Sequence, residues 1–386
     1  GSSQTEAQFL VAAAAAFDAT GVDHYVSFNA NASGDAWVMV DVDGNGLIEI
    51  DSLEKLNAIR FQLKGEGLQM TAESSVEVSG CPFVIYQGIY RKACSGYELT
   101  QDLDFDTNPN GKFDSEDLYW NENIEGVGEG WLPIMGDGGN HFSAHFNGNG
   151  HVIKNLTINR PAKDYVGLFG VIQYARIENL AIGGLHNSIV GDEHVGALAG
   201  FASNSQISNI AIGANIEGDY YVAGLVGAIN FSTHIENSFS SGSVSGNFFI
   251  GGLVGKSHGG SGNAKNLIGQ SLSVSLVSTP KLWHQARSGG LVGQADNTDI
   301  TNSYWAKDAS GWKHSAGRSE ANSYVGLNLS ALQCATAENT DSSTGCVSVD
   351  GSGEGLSDAV ILYKDWNLTV WDFGEAPNTS QQLPGL

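Results

Sequence analysis

Five copies of one glycine-rich phrase decide the fold, each centred on a leucine with glycines close by. They are Val166-Gly-Leu-Phe-Gly170, Val195-Gly-Ala-Leu-Ala-Gly200, Val222-Ala-Gly-Leu-Val-Gly227, Ile250-Gly-Gly-Leu-Val-Gly255 and Ser288-Gly-Gly-Leu-Val-Gly293. Their leucines are separated by 30, 27, 28 and 38 residues. A period of this size is typical of repeat proteins, in which each repeat is one supersecondary unit that must stack on its neighbours.

A second phrase keeps step with the first. Its copies are Ile153-Lys-Asn-Leu156, Ile177-Glu-Asn-Leu180, Ile207-Ser-Asn-Ile210, Ile235-Glu-Asn-Ser238 and Ile300-Thr-Asn-Ser303, with Ala264-Lys-Asn-Leu267 as a degenerate copy. Strands this short cannot bury their own apolar face, so coils are expected to stack about 4.8 Å apart. We expect the asparagines at 155, 179, 209, 237, 266 and 302 to stack from coil to coil. The sequence therefore predicts an all-β protein, a β-helix or β-solenoid of about five to six coils, with a β-propeller or sandwich as the alternative.

The regions on either side of the repeats are predicted to be caps. Residues 1–130 form the predicted N-terminal, calcium-binding cap region, 131–323 the solenoid and 324–386 the C-terminal cap. In the first region Leu53, Leu56, Ile59 and Leu63 fall on one face of a helix that Asp51 or Ser52 can cap. In the last, Trp366, Trp371 and Phe373 are expected to cover the strand edges at the solenoid's end.

Composition limits the compartment and the partners. The formal net charge is −24, which argues against nucleic acid and anionic membranes because both require clustered Lys and Arg. No apolar run approaches the roughly 18–20 residues of a membrane span, so the protein is not expected to cross a membrane. The cysteines form two local pairs, Cys81/Cys94 and Cys334/Cys346. We predict two disulfides and a location outside the cytoplasm, with four buried free thiols as the alternative.

One acidic loop matches the ligand spacing of an EF-hand. Oxygen donors stand at loop positions 1, 3, 5, 9 and 12, namely Asp106, Asn108, Asn110, Asp114 and Asp117, and the backbone carbonyl of Lys112 is available at position 7. Glycine at position 6 lets the loop turn around an ion. The loop predicts structural calcium; a merely solvated acidic loop is the alternative.

A second loop fits the same pattern less regularly. Asp41, Asp43, Asn45 and Glu49 supply positions 1, 3, 5 and 9, with the carbonyl of Leu47 at position 7. Position 12 is Ser52, so we expect Asp51 or Glu54 to close the site. Calcium is the predicted cofactor of both loops.

Aromatic residues recur immediately before the glycine phrases, one in each coil. They are Tyr165, His194, Tyr221 and Phe249, and strand alternation places them on the face opposite the buried valines, as an outward ladder on which sugars can stack. A ladder that only stabilises the strands is the alternative. The longest interval between leucines contains an excursion with Trp283, His284 and Arg287, which we predict to be a recognition loop, or else a packed corner.

Several of these phrases together resemble the GLUG-motif repeat proteins of bacterial surfaces. The resemblance is carried by Asp41-Val-Asp-Gly-Asn-Gly-Leu-Ile-Glu-Ile50, Leu53-Glu-Lys-Leu-Asn-Ala-Ile-Arg60, Gly96-Tyr-Glu-Leu-Thr-Gln-Asp-Leu-Asp-Phe-Asp106, Phe146-Asn-Gly-Asn-Gly-His-Val-Ile-Lys-Asn-Leu156, the five glycine phrases and Trp371-Asp-Phe-Gly374. It implies a large secreted or cell-surface protein, often adhesin-like. The motif also accompanies immunoglobulin-A-specific metallopeptidases, but their His-Glu-x-x-His centre has no counterpart in this sequence.

The predicted function is adhesion or binding of a ligand, a glycan above all, at a bacterial cell surface. A polysaccharide lyase or glycosidase on the same scaffold is the second reading, with Asp192, Glu193 or Asp219 as candidate acids. A structural spacer or self-associating matrix protein is the third. The sequence favours a non-enzymatic protein without deciding the point.

Overall fold

The computed structural model describes residues 41, 43–68, 83–86, 89–92, 94–123, 125–135, 140–262, 264–280, 287–312 and 324–332, with 347–348, 360–361, 363, 366, 369–371 and 383. The helices are α1 (Leu53–Ala58), which continues as a 3-10 turn (Ile59–Phe61), α2 (Lys307–Ser310) and α3 (Leu329–Leu332). The strands are β1 (Leu47–Ile50), β2 (Phe83–Tyr86), β3 (Ile89–Lys92), β4 (Gly96–Leu99), β5 (Leu103–Asp104), β6 (His145–Asn147), β7 (Val152–Lys154), β8 (Thr157–Asn159), β9 (Phe169–Gln173), β10 (Arg176–Gly183), β11 (Ser188–Val190), β12 (Glu193–Gly196), β13 (Ala199–Ser203), β14 (Gln206–Glu217), β15 (Tyr220–Ala223), β16 (Val226–Asn230), β17 (His234–Ser245), β18 (Phe248–Gly251), β19 (Val254–His258), β20 (Asn266–Gly269), β21 (Leu272–Ser273), β22 (Leu276–Ser278), β23 (Ser288–Gly289), β24 (Val292–Asp296), β25 (Thr298–Thr301), β26 (Ser303–Ala306), β27 (Tyr324–Leu327), β28 (Val347–Ser348) and β29 (Val360–Ile361).

The strands wind into a parallel β-solenoid of about five turns, which confirms the predicted fold class. A 16-stranded sheet follows the path β1-β4-β6-β10-β14-β17-β21-β26-β27 along one side. Two further parallel sheets, β24-β19-β16-β13-β9 and β12-β15-β18-β23, carry the glycine phrases. Within these three sheets strands pair in parallel with their equivalents one coil away, so neither a propeller nor a sandwich describes the chain; β2–β3 and β28–β29 are separate antiparallel pairs.

Rows of apolar side chains, with one residue from each coil, fill the interior. One inward row runs through Ile48, Tyr97, Phe146, Ile177, Ile207, Ile235, Ile268 and Ile300, all in register and all at most 2% exposed. Burying each such side chain stabilises the fold by about 1.5–3 kcal/mol. Because a one-residue slip would turn the row outward, the row fixes the register of the whole sheet.

The glycine phrases close a tight corner of each coil. At Gly227 an added Cβ would lie 2.6 Å from the carbonyl oxygens of both Gly200 and Tyr221. No side chain fits between backbones that approach this closely, so the last glycine of the phrase is a steric requirement of the corner.

An asparagine ladder runs along the outside of the large sheet. The side-chain amide of Asn179 donates to Asn147 (3.0 Å), that of Asn209 to Asn179 (2.8 Å) and that of Asn237 to Asn209 (3.2 Å). The Oδ1 of Asn237 accepts from the Nε1 of Trp371 at 3.2 Å, and this contact ends the ladder. Asn179, Asn209 and Asn237 have φ between 47° and 57°, a conformation that asparagine tolerates better than most non-glycine residues.

The predicted ladder was wrong at two of its asparagines, Asn155 and Asn266. Ile177 pairs with Phe146 rather than with Ile153, which pairs instead with Ile182, so Asn155 belongs to a different row. Asn266 lies opposite Thr298 and is fully buried, where it accepts from the backbone N–H of Thr233 and donates to Ser257. Both phrases match the repeat in letters but not in register.

The flanking regions are only partly end covers. Helix α1 begins after Ser52, whose hydroxyl accepts from the backbone N–H of Lys55, as one of the two predicted caps. The parallel sheet already begins at β1, inside the predicted N-terminal cap region. Trp366 and Trp371 lie with Tyr304 in a second apolar cluster, separate from the solenoid core. Trp366 donates to the carbonyl oxygen of Asn302 and Trp371 to Asn237, so the cluster also reaches along the side of the solenoid. Phe373 lies outside the described residues, and cover of the strand edges stays a prediction.

Candidate functional site

The four aromatic residues form one continuous stack, which we call the ring column: Tyr165, His194, Tyr221 and Phe249. The ring centroids of Tyr165 and His194 are 4.7 Å apart, those of His194 and Tyr221 4.5 Å, and those of Tyr221 and Phe249 5.0 Å. Interplanar angles are 10–30°. This spacing matches the rise from one coil to the next, so equivalent residues stack directly.

The backbone conformation that directs these rings was not foreseen. Each of the four residues has φ between 57° and 59°, whereas strand alternation predicts an ordinary extended residue. The final glycine of each phrase lies against the backbone of the column; a Cβ on Gly255 would be 2.7 Å from the carbonyl oxygen of Phe249. The recurring left-handed residue and the glycine thus form one corner motif.

Stacking changes what the rings offer to a ligand. Along the column adjacent rings cover each other's facing sides; Tyr165, His194 and Tyr221 are half-buried and Phe249 is 8% exposed. The expectation that sugars stack on the flat faces is therefore wrong for the inner rings, which present their edges and hydroxyl groups. The ladder exists, but Phe249 is buried rather than outward, and the use of the ladder in binding stays a prediction.

A second file of side chains runs beside the ring column. Tyr220 and Phe248 stack at 4.6 Å with an interplanar angle of 12°. In the preceding coil the equivalent position is Glu193, which pairs with Tyr220 across the strands. The file therefore changes from acidic to aromatic along the solenoid.

Two basic side chains, which we call the cation pair, lie over the far end of the ring column. The Nζ of Lys256 is 5.0 Å from the ring centroid of Phe249 and 5.7 Å from that of Tyr221. The Cζ of Arg287 is 5.2 Å from Phe249 and 5.9 Å from Phe248. Since Ile250 pairs with Ser288, Arg287 occupies the column position of its coil. Trp283 and His284, predicted to act with it, lie outside the described residues.

The opposite end of the column is acidic. Partial burial and the neighbouring carboxylates of Asp164, Asp192 and Asp219 raise the pKa of Glu193. Burial lowers the pKa of His194 to about 4, because desolvation outweighs the attraction of Asp164. The Nδ1 of His194 is buried without a hydrogen-bond partner in the described structure. The site therefore has a negative end, a neutral middle and a positive end.

The loop at the start of the large sheet brings three carboxylates together. Ligand oxygens of Asp41, Asp43 and Glu49 lie within 4.8 Å of one another. The loop is wound by Asp41, which accepts from the backbone N–H groups of Gly44 (2.8 Å) and Gly46 (3.0 Å). Burial, reinforced by nearby carboxylates, raises the pKa of Asp41.

Glu98 is a candidate ligand that sequence reasoning missed. It is 4% exposed, and its Oε1 accepts from the side-chain amide of Asn45 at 2.9 Å. Strand pairing sets it beside Glu49, 49 positions earlier in the chain. Glu98 is thus better placed to complete the loop than Asp51, whose carboxylate forms an ion pair with Lys55 at 2.8 Å. Only stacking of the coils reveals this, since the EF-hand pattern is read within one loop.

The loop after Asp106 has the same backbone design but a different arrangement of carboxylates. Asp106 accepts from the backbone N–H groups of Asn110 (3.2 Å) and Gly111 (2.8 Å). Asp117 is 5% exposed and its two oxygens accept from the N–H groups of Thr107 (2.7 Å) and Asp114 (2.8 Å). Asp106, Asp114 and Asp117 do not converge to within 4.8 Å as the first loop's acids do. Calcium at Asp106, Asn108, Asn110, Lys112, Asp114 and Asp117 stays a prediction.

The predicted disulfides fall largely outside the described residues. Cys94 is 3% exposed and is not a free thiol. Cys81, Cys334 and Cys346 lie beyond the described part of the chain, so both pairings stay predictions.

Comparisons with known proteins find partial relatives. The chain is 34% identical over 143 residues to "Halomucin" of Haloquadratum walsbyi, a match that covers 37% of this chain and 1% of the relative. It is 40% identical over 87 residues to "Putative Gly-rich membrane protein" of Evansella cellulosilytica, covering 22% of this chain and 10% of that protein. The chain thus spans a tenth or less of these relatives. No family model matches it.

Among solved structures, a "putative immunoglobulin A1 protease" from Bacteroides ovatus is similar over 79% of this chain and 87% of its own, with a TM-score of 0.44 and 15% identity. At this TM-score and identity the similarity carries no argument, so the fold is assigned from the strand pairing of this chain. Within the described residues no helix has the length and apolar character needed to cross a membrane.

Proposed function

We propose that the chain is a ligand-binding β-solenoid segment of a cell-surface protein, with a glycan as its ligand. One observation carries the proposal: a rigid corner of the solenoid aligns tyrosine hydroxyls, ring edges and charges of both signs over four successive coils. Glycans offer hydroxyl groups and apolar C–H surfaces, which such a row can contact repeatedly. The partial similarity to halomucin and to a glycine-rich membrane protein supports the surface location.

We propose structural calcium at the first loop, held by Asp41, Asp43, Asn45, Glu49 and the carbonyl of Leu47, with Glu98 as an additional ligand. Hard oxygen donors in this number suit Ca²⁺. Binding to the folded state alone would stabilise the first coils by mass action. Membership of the GLUG-motif family, an adhesin role, the two disulfides and self-association are part of the same proposal.

A second candidate, glycan cleavage, is favoured by one feature. A glutamate whose pKa is raised by burial and neighbouring carboxylates suits a general acid, and Glu193 is such a residue at the edge of the column. Its flanking acids Asp192 and Asp219 are then the partners to test.

The test is a panel of neutral and acidic glycans scored for retention and for released sugars. Tyr220→Phe and Tyr221→Phe remove hydroxyls while leaving the stacks, so they should weaken retention without loss of thermal stability. Tyr174→Phe is the matched control, because Tyr174 is 67% exposed and lies outside the column. Retention that is equal in all variants would contradict the proposed site, and release of reducing or unsaturated sugars would favour the enzyme. No retention of any glycan would favour the spacer.

A further inference from the structure

In the part of the chain that the structure describes, the cation pair lacks the carboxylate partners that five other basic side chains of this acidic protein have. The chain has 18 Lys and Arg against 42 Asp and Glu, so carboxylate partners are plentiful. Five other basic residues in the described structure form ion pairs: Lys55, Lys154, Arg160, Arg176 and Lys265. Within the described residues, Lys256 and Arg287 form neither ion pairs nor hydrogen bonds, only the contacts with rings.

Both cations are held at one place from two different elements. Lys256 extends from β19, where its strand neighbours are the neutral Ala228 and Gln294. Arg287 immediately precedes β23 and is exposed. Both lie within 5.2 Å of the Phe249 ring, whose face attracts cations and orders two otherwise mobile side chains. Their donors remain available to a ligand.

We propose that the site takes an anionic saccharide, with a carboxylate or sulfate group bound by Lys256 and Arg287 and neighbouring sugar hydroxyls bound by Tyr220 and Tyr221. This deepens the proposed function and depends on it. A guanidinium and an ammonium group that both reach the Phe249 ring offer an oxyanion two positive charges and several hydrogen-bond donors. The local arrangement thus outweighs the overall charge of −24, which on its own argues against an anionic ligand.

The acidic end restricts the ligand further. Asp164 and Glu193 directly precede Tyr165 and His194 at the other end of the same row, and the backbone N–H of Glu193 donates to the carboxylate of Asp164 at 3.3 Å. A glycan with a negative charge on every sugar would place some of these charges against the carboxylates of Asp164 and Glu193. The site therefore selects a sparsely charged glycan, in which acidic and neutral sugars alternate, over a uniformly charged polyuronate or a polyphosphate.

The test compares binding of hyaluronan, polygalacturonate, dextran sulfate and neutral dextran by calorimetry. The double variant Lys256→Gln/Arg287→Gln should bind hyaluronan at least about tenfold more weakly than the native chain. The matched control Arg176→Gln/Lys265→Gln removes the same charge from ion-paired residues and should stay within about twofold, since its charges lie elsewhere. Native binding should weaken as salt rises, because exposed charges are screened.

Each other result has a definite meaning. Equal affinity for dextran and hyaluronan would overturn the anionic class and leave the proposed function standing, whereas no binding of any glycan would overturn both. Binding that survives the double variant but is lost in Glu193→Gln would indicate a calcium bridge at the acidic end and refute the cation pair. Should the double variant melt early, the charge-preserving Lys256→Arg/Arg287→Lys variant must retain binding.

Discussion

Replacement of His194 by phenylalanine should remove a pH-dependent weakness in the middle of the ring column. Burial lowers the pKa of His194 to about 4, against 6.5 for an ordinary histidine, so the folded state resists protonation. Above pH 6.5 the ring is neutral in both states and contributes no pH dependence. As the pH falls below 6.5 the unfolded chain takes up a proton that the folded chain rejects, and stability is lost until about pH 4.

The size of the effect follows from the two pKa values. Between pH 8 and pH 5 the free energy of unfolding should fall by about 2 kcal/mol, and by about 3 kcal/mol at the limit below pH 4. Because the imidazole is partly exposed, solvent screening reduces the first figure to about 1–2 kcal/mol. The charge of Asp164 raises the pKa of His194 and so reduces this loss of stability, whereas the charge of Lys256 lowers the pKa and increases the loss.

Urea unfolding of the native chain and of His194→Phe at pH 5, 6, 7 and 8, followed by circular dichroism, measures the difference directly. Phenylalanine fits because Phe249 holds the same column position at φ 57°, and the change also removes a buried nitrogen without a partner. Subtracting the two curves cancels the other histidines. Parallel pH dependence in the two proteins would refute the assignment, as would a large loss of stability in His194→Phe at pH 8.

Three further predictions concern the corner, the metal and the cysteines. Gly227→Ala should lower the free energy of unfolding by about 3 kcal/mol, because its Cβ meets two carbonyl oxygens at 2.6 Å. In the control Gly213→Ala the nearest contact of the Cβ is 3.5 Å, so the free energy should change by less than about 1 kcal/mol. Equal melting temperatures of the two variants would contradict this prediction. Calcium should raise the melting temperature of the native chain more than that of Glu98→Gln, and a chelator that leaves both unchanged would exclude a structural ion. Mass spectrometry of a non-reduced digest should find Cys81 joined to Cys94, and a different partner for Cys94 would disprove the predicted local pairing.

The repeats could be predicted from sequence because each phrase carries its own physical reason. The leucines, the inward isoleucines and the final glycine meet the same steric demand in every coil, so their period survives variation in coil length. The phrase around Asn155 shows the limit of this reasoning. Three shared letters suggested a repeat, but Phe146 pairs with Ile177, whereas Ile153 is equally buried and pairs with Ile182. Alternation therefore allows either residue to face inward, and similarity of letters does not fix the register.

The sequence predicted which residues form the site better than it predicted how they are arranged. Tyr165, His194, Tyr221 and Phe249 could be found because they recur beside the glycine phrase. Their positive φ, and hence the covered ring faces, could not be read from an alternating strand pattern. Glu98 and Lys256 lay beyond sequence reasoning, and so did the place of the predicted Arg287 beside the ring column, since their neighbours come from other coils.

The position of Trp371 has a consequence for the order of events during synthesis. Its indole contacts Asn237, a residue made 134 positions earlier. As the chain leaves the ribosome, coils can close one after another, but this contact with Asn237 can form only after Trp371 has been made. The segment around Trp371 thus acts as a clasp on coils that have already closed, and its contact with them forms last.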